Sequence, residues 1–214
     1  MKIKIAVLFI ITFCQYSFSQ DIEWSTYDFD SIVYLDMPNE VYEMDTIINN
    51  QKLYQIFSKN DSVEFVAQKI LLGKMSSNGE VIRPPDDIKS LNKLYSDLIW
   101  VFTEPYEQYF GSSKEIIKND LKGFKLTFKN DNEKIVIEVD LFIVNKSFYT
   151  FSYSNLNGLN EADRDLFFNS INFDSKQELK QYHKSPSVFN KYTALTLVTL
   201  LLLSFFFSLI KRRA

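Results

Sequence analysis

Residues 192–210 form an apolar run without charge, proline or glycine, preceded by Lys191 and followed by Lys211-Arg212-Arg213. At 1.5 Å per residue a helix over this run reaches about 28 Å, close to the ~30 Å hydrocarbon layer of a bilayer. A helix buried in a soluble core is shorter or shows a polar stripe. Here, apart from Tyr192, the only polar side chains are Thr193, Thr196, Thr199, Ser204 and Ser208, whose hydroxyls can bond back to their own helix. The run is therefore expected to cross the membrane once, with the lipid bilayer as its partner.

The other end carries a second targeting pattern. Lys2 and Lys4 precede the apolar Ile5 to Phe13, and the more polar stretch after Cys14 places small residues at Ser17 and Ser19. This is the layout of a secretory signal peptide over residues 1–19, cut before Gln20. Bulky Phe13 ahead of Cys14 disfavours a lipoprotein signal. The tribasic end is expected to stay in the cytoplasm, which puts the intervening region outside, and a signal peptide demands the same. The expected location is the inner membrane of a bacterial-type cell, single-pass, with a periplasmic globular domain. A retained anchor is preferred to a cleaved sorting signal, because Ser185-Pro186-Ser187 is no recognisable cleavage motif.

These ends leave an exported globular domain over residues 20–173, a juxtamembrane stalk over 174–191 and a basic tail over 211–214. Setting aside Lys2, Lys4 and the three basic tail residues leaves 19 Lys and Arg against 27 Asp and Glu. A net charge of about −8 argues against nucleic acid or anionic lipid as the domain's main partner. Removal of the signal peptide removes Cys14, the only cysteine, and with it disulfides, thiolate catalysis and thiolate metal ligation.

Across the chain, 20 Phe and 12 Tyr against 5 Gly and 5 Pro lean toward β structure. Ile32-Val33-Tyr34-Leu35 reads as a strand ending at Met37-Pro38. Residues 41–48 and 52–57 flank a turn at Asn49-Asn50, and a further strand begins at Glu64 after turn-like Lys59-Asn60-Asp61. Asp86 is expected to cap a helix over 86–102, with Asp87 at the positive end of its dipole. Ile88, Leu91, Leu94, Tyr95, Leu98 and Phe102 share one face of it, and Pro105 ends it.

An antiparallel meander follows. Phe124, Leu126 and Phe128 alternate with Lys125, Thr127 and Lys129. Ile135, Ile137, Val139 and Leu141 alternate with Val136, Glu138 and Asp140. Turns at 130–132 and Asn145-Lys146 separate these from a strand over 148–153, and Asn160 caps a short helix through Phe168. Period-2 alternation predicts half-buried strands with Glu138 and Asp140 on the solvent side.

The order of a strand ending in proline, further strands, one long helix, an antiparallel meander and a closing helix resembles the PsbP/MOG1-like α/β/α-sandwich domains. The resemblance rests on Ile32-Val33-Tyr34-Leu35-Asp36-Met37-Pro38, the helix over 86–102, Gly123-Phe124-Lys125-Leu126-Thr127-Phe128 and Asp165-Leu166-Phe167-Phe168-Asn169-Ser170-Ile171. It implies an α+β fold in an exported or membrane-anchored accessory protein, without catalytic residues to carry over. The apolar tail departs from that family's usual soluble or lipoprotein form.

Few groups in the chain can carry chemistry. His183 is the only histidine and falls in the stalk, so a His-based triad or a multi-His metal site cannot be built in the domain. Glycines at 73, 79, 111, 123 and 158 form no phosphate-binding loop. Paired carboxylates remain: Glu138 with Asp140, and Asp86 with Asp87. Such pairs serve glycosidases or bind hard cations, but a solvated strand face and helix capping explain them, so no catalytic, cofactor-binding or metal-ligating residue is assigned.

Aromatics at Trp24, Tyr27 and Phe29, and at Trp100, Tyr106, Tyr109 and Phe110, lie near acidic residues and suit protein or glycan binding, with core filling as the competing role. Asp30-Ser31-Ile32, Asp45-Thr46-Ile47 and Asp61-Ser62-Val63 fit an Asp-Ser/Thr-apolar pattern of periplasmic O-glycosylation. The expectation is a non-enzymatic binding or assembly module with an envelope protein or glycan partner. A carboxylate-dependent hydrolase of envelope glycans is the alternative.

Overall fold

A computed structural model describes residues 23–38, 40–48, 51–60, 63–73, 83–155, 160–174, 176 and 178–182. The expected signal peptide over 1–19 and apolar span over 192–210 lie outside the described residues. Among the described residues no helix is long and apolar enough to cross a membrane.

The fold is α+β, mostly antiparallel sheet with two helices. In chain order the elements are β1 (Trp24–Asp28), β2 (Val33–Pro38), β3 (Tyr42–Ile48), β4 (Gln51–Asn60), β5 (Val63–Leu71) and α1 (Ile88–Thr103). A 3-10 turn (Glu104–Tyr109) leads into β6 (Phe110–Lys118), β7 (Leu121–Lys129), β8 (Ile135–Val144), β9 (Ser147–Asn155), α2 (Glu161–Ser170) and β10 (Asn172–Phe173). Seven strands pair in the order β3-β4-β5-β9-β8-β7-β6, and β1-β2-β10 form a second, three-stranded sheet.

The seven-stranded sheet is covered on both faces. On the front, Leu91, Leu94, Tyr95, Leu98, Val101 and Phe102 of α1 bury against a core that includes Leu53, Ile70, Leu126, Leu141 and Phe148. On the back, Phe167 and Phe168 of α2 join Val33, Leu35 and Met37 of β2 over Phe65, Phe142, Tyr149, Phe151 and Tyr153. Edge-to-face ring pairs knit this second core, among them Phe65 with Phe167 at 5.4 Å and Phe142 with Phe173 at 5.2 Å.

Local chemistry explains the element ends. Asp87, not Asp86, is the α1 cap: its carboxylate accepts from the Ser90 N–H at 2.6 Å, and Ser90 Oγ accepts from the Asp87 N–H at 3.0 Å. Asp86 instead accepts from Ser90 Oγ at 2.7 Å. Those bonds hold the Asp87 carboxyl below its usual value. Asn160 caps α2 as expected, through the N–H groups of Ala162 and Asp163. Lys59 and Asn60 belong to β4 rather than to a turn. The two-residue turns Asn119-Asp120 and Asn145-Lys146 hold positive φ at both positions, the backbone that matches strand twist in tight hairpins.

Candidate functional site: a buried charge cluster beneath the second helix

Glu138 and Asp140 project from β8 toward α2, not toward solvent. Their exposures are 6% and 4%, which corrects the solvent-facing placement read from alternation. The reason is that β8 is sandwiched. Its odd residues meet α1 and its even residues meet α2 and the back core, so apolar–polar alternation does not mark an outside here.

The cations that neutralise the pair come from β7 and α2. Lys125 sits opposite Asp140 in the β7–β8 register. Its ammonium lies 2.9 Å from Asp140 Oδ1, 3.3 Å from Glu138 Oε2 and 3.6 Å from the centre of the Phe168 ring. Desolvated contact with a ring face adds attraction to that of the carboxylates. Arg164, one helical turn before Phe168, reaches Glu138 Oε1 at 3.7 Å and also holds Asp165 at 2.8 Å. Lys118 of β6 donates to the Phe168 carbonyl at 2.5 Å, at the end of α2 where the helix dipole is negative.

Burial dominates the electrostatics. It pushes the Asp140 carboxyl up to about 6, against the opposing pull of Lys125 and Lys118. The Lys125 ammonium pairs with Asp140 Oδ1 at 2.9 Å, yet the desolvation cost outweighs that attraction. Burial likewise lowers Lys118. Chemically, Asp140 can hold a proton at mildly acidic pH. A glycan would reach it only if α2 left the sheet, because general acid catalysis requires hydrogen-bond contact with the leaving group.

A second ion pair pins the small sheet. Asp30, in the β1–β2 turn, meets Lys69 Nζ at 2.5 Å and accepts from the Tyr149 hydroxyl at 2.7 Å. It also accepts from the N–H groups of Ile32 and Val33. Burial, then Asp30, pushes the Tyr149 hydroxyl well up from its usual value. Every polar atom of the Asp30 carboxylate is thus engaged in holding the turn down, while Ser31 beside it adopts φ 64° at the surface. Thr46 lies on the edge strand β3, and Ser62 lies outside the described residues.

The aromatics divide by role. Phe29 is buried and stacks on Tyr54 at 5.0 Å, and Trp24 packs edge-on against Phe65 at 5.3 Å. Tyr106 and Phe110 pack against the front core. Trp100 remains 42% exposed, with Tyr109, and Tyr42 on β3 is 52% exposed.

Sequence reasoning missed Lys118, Lys125 and Arg164 as partners of the carboxylates. Counting outward from the 130–132 turn sets Lys125 opposite Ile137, three residues short of its actual partner Asp140, because β8 begins only at Ile135 and the register shifts between Phe128 and Lys129. Nothing in the sequence links Lys118 or Arg164 to that pair. Among the described residues no three His, Cys, Asp or Glu side chains are grouped to hold a metal ion. Comparison with protein-family models, curated proteins and solved structures finds no match for the chain.

Proposed function

We propose that the chain is a membrane-anchored binding or assembly module whose domain lies outside the cytoplasm and recognises an envelope protein or glycan without catalysing a reaction. The observation that carries the reading is the burial of Glu138 and Asp140 beneath α2, each within ion-pair distance of a cation. The remaining candidate acid–base pair is thereby covered by α2 and engaged with cations of the fold. The chain's two ends, a signal-peptide pattern and a charge-free run before a tribasic tail, support export and anchoring. One long helix on the front of an antiparallel sheet and a closing helix on the back support the likeness to PsbP/MOG1-like domains. Exposed Trp100 and Tyr42 supply apolar surface for a partner. Tethering raises the local concentration of such a module near membrane partners, so weak contacts suffice.

The test is crosslinking and pull-down of the full-length protein from the envelope, beside the double variant Glu138→Gln, Asp140→Asn. The amide replacements keep the volume under α2. Capture of the same partners by both proteins is expected. A hydrolytic activity on envelope glycans that the double variant loses while staying folded would instead establish the hydrolase. Topology is tested by an outside-active reporter fused after residue 190 or after Ala214: only the first fusion is expected to be active.

A further inference from the structure

After β10 the chain returns to the sheet and enters a gap between two of its strands. Leu179 packs against the back core. The Asn145 N–H donates to the Lys180 carbonyl at 2.8 Å, and the Lys180 N–H donates to Asn145 Oδ1 at 2.8 Å. Gln181 then meets Tyr95 of α1, on the front side.

The gap is a pried-open rung of the β7–β8 ladder. Pairing stops at Gly123 with Phe142, and the next residues in register, Lys122 and Ile143, do not pair with each other. Side chains take over both of the bonds they would share. The Tyr95 hydroxyl accepts from the Ile143 N–H at 3.0 Å and donates to the Lys122 carbonyl at 2.7 Å. Gln181 Oε1 accepts from the Lys122 N–H at 2.8 Å, while its Nε2 donates to the Ile143 carbonyl at 3.1 Å and to the Lys122 carbonyl at 2.7 Å. A carboxamide alone carries a donor and an acceptor side by side without charge, which is what two facing backbone edges require.

We propose that this gap is a peptide-binding site, filled at rest by the chain's own residues 178–182 and able to take in their place a partner segment with an apolar residue two positions before a glutamine. The inference rests on the binding reading above and names a site for it. Three features mark a ligand rather than a core element. Residues 178, 180 and 182 are exposed and the intervening Leu179 and Gln181 only half-buried. The contact is read mostly through one side chain, as in recognition of a motif. Release leaves the Lys122 N–H and the Ile143 carbonyl facing each other across the gap without the donor and acceptor that Gln181 supplies, which is what a carboxamide from a partner segment can replace. Segments held by so few buried contacts open locally, well below the cost of global unfolding.

Amide hydrogen exchange on the full-length protein in detergent is the first measurement. The Lys122 amide, which bonds Gln181, is expected to exchange on the order of tenfold or more faster than the Leu126 amide, which lies in the intact ladder. Equal protection of the two would overturn the proposal, since the segment would then open only with the whole fold. The second measurement uses Gln181→Ala and a capped synthetic peptide of residues 178–182 at millimolar concentration. The variant is expected to lose protection at Lys122 and keep it at Leu126. The peptide should restore it, and the same peptide with alanine for the glutamine should not. A variant that unfolds globally, or one that the peptide leaves unchanged, sinks the site. Either failure leaves the pull-down test standing, because that test asks for any partner on any face.

Discussion

Replacing Asp140 with asparagine isolates the one strongly perturbed carboxyl beneath α2. In the fold its titration is pushed up to about 6, chiefly by burial, from the ordinary aspartate value of 3.8. A raised acid favours the protonated form in the folded state, so its contribution is fully present below about pH 4 and is lost as the pH rises through about 6. The gap of about 2 pH units corresponds to about 3 kcal/mol, half of it lost near about pH 5. Asparagine keeps the volume and does not ionise. Lys125 retains Glu138 and the Phe168 ring. Urea unfolding of wild type and variant at matched pH values from 4 to 7 yields the difference in stability, in which titrations common to both proteins cancel. The variant is expected to gain on the wild type by up to about 3 kcal/mol between pH 4 and 7. The charged groups that act on Asp140 are Lys125 of β7, Lys118 of β6 and Glu138 of its own strand. A flat difference across the range would show that these charges fully repay desolvation. A variant that loses ground as the pH rises would show that the ion pair with Lys125 dominates.

Gly123→Ala is expected to destabilise by about 2–3 kcal/mol in the same assay: its methyl would lie 2.7 Å from the Leu141 carbonyl oxygen and run into the buried Phe142 ring, and backbone cannot yield as a side-chain tip can. Lys146→Gly is expected to stabilise by about 0.5–1 kcal/mol, because Lys146 holds φ 64° in a tight turn where a Cβ is unfavourable; a loss of stability would show that its side chain makes contacts worth more than the strain.

The elements that the sequence made readable are those whose burial differs along the chain. The face of α1 with Leu91, Leu94, Tyr95, Leu98 and Phe102 packs as its spacing implies, because a surface helix must turn one stripe inward, while Ile88, read onto the same face, is exposed in the first turn. The strands β7, β8 and β9 and the turn at Asn145-Lys146 stand close to where alternation and turn residues put them. The strand β6 was not legible. It is the sheet's edge, mostly exposed along its length, and Gly111-Ser112-Ser113-Lys114-Glu115 has no apolar period to read. β1 and β10 were equally silent: their backbone bonds to β2 are set by tertiary contact, with only five and two residue pairs.

The charge cluster shows why a polar residue on an alternating strand is an ambiguous sign. Alternation reports that the two faces of β8 differ, and here the difference is between two interiors: an apolar one under α1 and, under α2, an aromatic one with a charge cluster set into it. What separates a solvated face from a buried ionic one is the count of opposing charges that the fold delivers. Lys125 comes from the adjacent strand, Arg164 from α2 and Lys118 from the far edge, with 46 positions between Lys118 and Arg164. No local window contains them. The same holds for the gap at Lys122 and Ile143, where Tyr95 and Gln181 lie 86 positions apart yet substitute for one rung of backbone bonding. A ladder pair that gives up its two direct bonds must recover them from side chains, since an unpaired backbone group buried in a sheet costs about 1–3 kcal/mol. The chain recovers one relay from a tyrosine locked in the core and the other from a half-exposed glutamine near the end of the described residues. The second can be exchanged without dismantling the first, and that asymmetry is why the gap, rather than the buried carboxylates, is where binding is expected.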